Sequence, residues 1–149
     1  MKNLFNAGYT DNKISLGLLL LRTGIGAMML VHGLPKLESL LFSDNVAFSE
    51  VLGMNATISL SLAVFAEVIC SALLIAGLGT RLATVPLIIT MLVAVFHIHG
   101  NDPFAKQEMA LHFLLAYLVL LVAGPGRYSA DHLISSRLTV QRALAYSQY

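Results

Sequence analysis

Four long apolar runs, separated by short polar stretches, constrain this 149-residue chain more than anything else in it. They cover residues 14–33, 56–78, 82–98 and 108–124. A helix needs about 20 mostly apolar residues to cross the ~30 Å hydrocarbon layer of a bilayer. Composition agrees: 57% of residues are hydrophobic and 11% are charged, against roughly 25% charged in an ordinary soluble domain. Mean hydropathy is +0.78. The chain reads as a small membrane protein.

The first run is longer than the roughly 7 to 15 apolar residues of a secretory signal, and no A-x-A-like site follows it. It is therefore read as a retained span. The third run recruits Thr80 and Arg81 and extends over 80–99, with Pro86 near its start, where a helix tolerates proline best. Gly100, Asn101 and Pro103 then end it. Residues 79–81 and 99–107 are short connections, so spans 2 and 3, and spans 3 and 4, are antiparallel neighbours. The longer stretch 34–55 contains LPKLESLLF and NVAFSEVLGM, whose apolar residues fall near helical spacing. Both pieces are predicted as short amphipathic helices on the membrane surface. The tail 128–149 carries Leu133, Ile134, Leu138 and Leu144 among polar residues and reads as an interfacial helix or a partner-binding segment. The predicted fold is a single all-α domain over 1–149: a four-transmembrane-helix bundle with short interfacial helices.

Ionisable residues inside the runs carry the functional information. A charge at the bilayer centre costs at least ~2.5 kcal/mol on insertion scales, so it needs a partner or a task. Arg22 lies ~12 Å into span 1 and Glu67 ~16 Å into span 2, measured from the same face at ~1.5 Å per residue. The two are predicted to be within reach of each other. Four of the five histidines collect at the opposite face: His32 ends span 1 with Lys36 one turn later, His97 and His99 end span 3, and His112 follows Glu108 by one turn in span 4. His99 fits least well, since two residues along a helix turn it away from His97 unless the helix has already ended. His132 lies in the tail.

Several readings stay open at this stage. Arg22 and Glu67 can be a structural ion pair, with the histidines at the headgroups. They can instead close the floor of a quinone pocket, with Arg22, Glu67, His32 and His112 in catalytic roles and His32, Lys36, His97, Glu108 and His112 binding the headgroup. A divalent ion on Glu108, His112 and His97 or His99 is a third reading, weakened by the absence of the Glu-x-x-His spacing of di-iron bundles. Transport of a proton or small solute is a fourth. Cys70, the only cysteine, excludes an internal disulfide and a paired-thiol motif. There is no haem-attachment motif, flavin fingerprint or set of iron–sulfur cysteines, so electrons would come from a diffusible molecule or another chain. A net charge of +1 argues against nucleic acid.

LLLRTGIGAMMLVHGLPKL at 19–37, AEVICSALLIAGLGTRLAT at 66–84 and GPGRYSAD at 124–131 together resemble the DoxX family of small four-span membrane proteins. The resemblance runs over roughly 15–135. It implies a four-helix bundle in a bacterial cytoplasmic membrane and a redox neighbourhood, with a protein partner or a homo-oligomer. The function expected from residues and resemblance together is a quinone-interacting redox subunit working with a partner oxidoreductase. The alternative is a non-catalytic subunit that anchors or stabilises a larger complex.

Orientation follows from flanking Lys and Arg. Lys2, Lys13, Arg81, Arg127, Arg137 and Arg142 flank one face; only Lys36 and Lys106 flank the other. Both termini are therefore expected in the cytoplasm. An impermeant maleimide applied to intact cells should label a cysteine placed at Asn45 and not one placed at Ser147; the reverse pattern would overturn the orientation.

Overall fold

The computed structural model describes residues 12–43 and 48–137, and no β-strand occurs among them. Among the described residues, four helices are long and apolar enough to cross a membrane: span 1, Asn12–Phe42; span 2, Ala56–Ala76; span 3, Thr80–Ile98; and span 4, Phe104–Ala123. Each packs against the next in chain order, and span 4 closes the ring on span 1. Leu74, Leu87, Tyr117 and Leu120 are fully buried inside, whereas Leu20, Val31, Leu82, Phe96 and Val122 are exposed on the outside. An apolar exterior of this kind suits lipid, whose tails are as apolar as leucine.

Span 1 runs nine residues beyond the expected end at Gly33. Its last two turns are the LPKLESLLF piece, which is thus the continuation of a span and not a separate surface helix. Pro35 removes one backbone donor, yet Leu34, Leu37 and Leu41 keep an apolar stripe at helical spacing, and membrane helices accommodate such a proline. The second piece differs as well. Residues 48–55 form no helix, and residues 45–47 of NVAFSEVLGM lie outside the described residues. Leu52 and Gly53 take left-handed backbone angles of φ 52° and 79° in a tight turn closed by Met54 N–H on the Val51 carbonyl. Asn55 then caps span 2 by accepting from the Ile58 amide at 2.9 Å. Span 4 starts at Phe104, directly after Pro103, four residues before the expected start at Glu108. Residues 130–137 are helical, in line with the expected tail helix, while 138–149, with Leu138 and Leu144, lie outside the described residues.

The end of the bundle where span 1 begins, called the near end, is tied together by Arg22. Span 2 ends in a Schellman motif: Leu78 N–H bonds the Leu73 carbonyl, and Gly77 N–H bonds the Leu74 carbonyl. The carbonyls of such a last turn lack intrahelical partners and carry the negative end of the helix dipole. Arg22 Nη1 donates to the Leu74 carbonyl at 3.1 Å and the Ile75 carbonyl at 2.8 Å, and Nη2 donates to the Tyr128 carbonyl. Gly77, at φ 69°, lies so close that a Cβ would run into the guanidinium and the Ser129 side chain.

The segment after span 4 adds further ties. Ser15 Oγ accepts from the Arg127 amide at 3.3 Å, and Arg127 Nη1 donates to Asn12 at 2.7 Å. Asp131 accepts from the Gly79 and Thr80 amides at 2.7 and 2.9 Å, capping span 3 from a distant part of the chain. Burial pulls the Asp131 carboxyl upward, but these two amides and the nearby Arg22 charge outweigh it and hold the group below the ordinary aspartate value. The sign follows: a carboxyl depressed on folding adds stability above its unfolded value, and that stability is lost as pH falls through the folded value. Asp131→Ala should cost about 1 kcal/mol at neutral pH, a usual figure for a lost cap. In thermal melts in detergent the gap between wild type and variant should narrow below about pH 4.

Candidate functional site

The far end is built around a different charge. Glu67 sits in span 2 within a π-helical stretch, Phe65–Cys70, where the ladder widens by one residue per turn. Such bulges recur at functional sites. Gly33 of span 1 packs directly on this stretch. A Cβ there would lie 2.9 Å from Val68 Cγ2 and 3.0 Å from Glu67 Cβ, so only glycine admits the approach. One turn later Lys36 Nζ meets Glu67 Oε1 at 2.5 Å. The glutamate side chain is 3% exposed and the lysine 32%. Lys36 also lies 5.8 Å from the Phe48 ring centroid, within cation–π range. Glu67 Oε2, though buried, has no hydrogen-bond partner in the protein. Tyr117 of span 4 is fully buried, feels the Glu67 charge, and leaves its hydroxyl likewise without a protein partner.

Two cavities meet at this pair. One, of about 190 Å³, lies between spans 1, 3 and 4 and has Met29, Met91 and Phe113 as apolar walls, with His32, His99 and Lys106 as polar groups. The other, of about 170 Å³, lies under the 48–55 turn between spans 2 and 3. Its walls are mainly apolar, including Phe48, Val51, Leu62, Ile89 and Val93, with Ser59 and Thr90 as minor polar groups. Lys36, Glu67 and Ala94 line both. Each has room for several waters or for the ring of one small ligand.

The expected constellation is assembled only in part. His32 and Lys36 border the first cavity, and the His32 ring stands edge-on to Phe113 at 5.8 Å. His99 joins them, because span 3 ends in a second π stretch, Ala94–Ile98, and His99 is its cap with φ −107°. Its Nδ1 is 2.8 Å from Asp102 Oδ2. The His99 hydrogen bond, assisted by Lys106, outweighs burial and holds the Asp102 carboxyl below its ordinary range. His97, Glu108 and His112 border neither cavity. His97 is exposed and approaches the Glu50 carbonyl at 3.3 Å. Glu108 and His112 are exposed, and His112 Nδ1 turns back to the Glu108 backbone carbonyl at 2.8 Å rather than to its carboxylate. His132 is exposed near the other end.

Arg22 and Glu67 do not pair. Each has found another partner: Arg22 takes backbone carbonyls at the near end, and Glu67 takes Lys36. Leu74 lies seven residues below Glu67, about 10 Å along the helix, which is why similar Cα depths did not translate into contact. Lys106 and Tyr117 were not anticipated. Tyr117 follows Phe113 by one turn on the buried face of span 4, and that spacing was the available signal. Among the described residues, no cluster of three or more His, Cys, Asp or Glu side chains is arranged to hold a metal ion.

Fold and site together define a four-span, all-helical membrane protein with a charged pair at the junction of two cavities. The chain belongs to the DoxX family, whose profile matches residues 17–100. That stretch contains Arg22, His32, Lys36, Glu67, His97 and His99. Over 136 residues the chain is 30% identical to the uncharacterized membrane protein Rv3486 of Mycobacterium tuberculosis, covering 80% of this chain and 82% of that protein. No solved structure matches it.

Proposed function

We propose that this protein is a quinone-interacting subunit of a bacterial inner-membrane redox system, with both termini in the cytoplasm and a partner oxidoreductase as electron donor. The single observation that carries the reading is the Lys36–Glu67 pair at the edge of an apolar cavity. Small-molecule sites are mostly apolar hollows with a few convergent polar groups. The second cavity fits that description, and it opens between helices, where an isoprenoid tail can lie in lipid. A bound quinone supplies two-electron, two-proton chemistry. The chain supplies the rest: Lys36 Nζ is the donor to a carbonyl oxygen, Phe48 walls the headgroup, and Glu67 holds Lys36 in place. The flanking charge asymmetry supports the orientation.

Quinone should copurify with the full-length protein in mild detergent and appear in mass spectra of its extract. A short-chain quinone should bind, and Lys36→Met should weaken it about tenfold or more, the worth of one charged hydrogen bond. His112→Ala, outside both cavities, should bind normally. A wild-type protein that takes up no quinone, yet copurifies stably with oxidoreductase subunits, would favour the anchoring role.

A further inference from the structure

We infer that Glu67 is a proton carrier between the two cavities, loading at the polar one and delivering into the apolar one. The identity of the acceptor rests on the quinone reading; the exchange itself does not.

The geometry is that of a carrier. Glu67 lines both cavities while its side chain is 3% exposed. One carboxyl oxygen is anchored by Lys36, and the other, buried, has no partner in the protein. A buried carboxylate oxygen left so is costly unless a proton or a hydrogen-bond donor reaches it. The anchored oxygen keeps the side chain in place while the free one gains and loses a proton. Lys36 holds only one of the two oxygens, so the other stays open to exchange.

The groups facing Glu67 come from two helices and one connection. Span 1 supplies Lys36 and His32, the span 3 cap supplies His99, and span 4 supplies Lys106 and Tyr117. His32 is exposed, as is Lys106, so the polar cavity is in touch with the far-side medium. Histidine is the side chain that changes charge near neutral pH and can pass protons inward. Among the described residues, the near end is packed differently. There the buried Leu74, Leu87 and Leu120 and the Arg22 clamp fill the bundle. The carrier path therefore starts at the far side: from water in the polar cavity to Glu67 Oε2, then to an acceptor in the apolar cavity, after which the carboxylate relaxes onto Lys36.

Dicyclohexylcarbodiimide, an apolar reagent that couples only to protonated carboxyls, tests this. The full-length protein is reconstituted in one orientation in vesicles with pH set separately on each side, and modified peptides are mapped by mass spectrometry. Modification of Glu67 should rise about tenfold per unit fall in far-side pH while the group is mostly ionised, and should ignore near-side pH. Lys36→Met should raise it at fixed pH, and Glu67→Gln should abolish it. No modification at any far-side pH, or modification governed by near-side pH, would overturn the inference. A short-chain quinone should protect Glu67. Far-side-dependent modification without protection would sustain the carrier and remove the quinone reading. Quinone binding with unreactive Glu67 would do the opposite.

Discussion

The clamp of Arg22 on backbone carbonyls is the interaction on which the rest of this bundle depends. A guanidinium removed from water needs several acceptors in fixed directions, and the last turn of a helix offers them without any acidic residue. Arg22 takes two such carbonyls from span 2 and a third from the segment after span 4. A residue of span 1 thus joins the end of span 2 to the segment after span 4. The Schellman turn at Gly77, the Asp131 cap on span 3 and the Ser15–Arg127 contact all gather around the same point. Holding the charge this way closes the near end and leaves Glu67 to another partner.

That freedom shapes the far end. Lys36 reaches Glu67 only because span 1 continues through Pro35 and because Gly33 lets it lie against the π stretch of span 2. The second π stretch, at the end of span 3, shifts His99 toward the same region and helps leave open space between spans 1, 3 and 4. Two local departures from α-helical geometry thus coincide with the two cavities. The pair between them is asymmetric: the acid is buried and the base partly exposed. Partial exposure lowers the cost of the lysine's charge, while the carboxylate depends on the lysine for nearly all of its compensation.

The spans were legible because length and hydropathy leave a helix few alternatives in lipid; their ends were less so. Span 1 overran its expected end because a proline and a lysine look like a stop in sequence while Leu34, Leu37 and Leu41 continue an apolar stripe suited to lipid. Residues 48–55 had apolar spacing suited to a helix, but the left-handed turn at Leu52 and Gly53 and the Asn55 cap decided otherwise. For the site, depth along a helix was readable and azimuth was not. Depth placed His32, Lys36, His97, His99 and His112 at one end, whereas only His32, Lys36 and His99 border a cavity. The π stretches rotate every residue beyond them and have no sequence signature. Arg22 and Glu67 do not pair because the backbone carbonyls at the end of span 2 take the guanidinium in place of an acidic side chain.

The central claim is that the two buried charges belong to separate systems, one structural and one at the cavities. Double-mutant cycles on unfolding in mixed micelles measure this directly, using Arg22→Leu, Lys36→Met and Glu67→Leu singly and in pairs. The account predicts a coupling of about 1 to 3 kcal/mol between Lys36 and Glu67, and additivity within about 0.5 kcal/mol between Arg22 and Glu67. Strong coupling of Arg22 with Glu67, alongside additivity of Lys36 with Glu67, would contradict it.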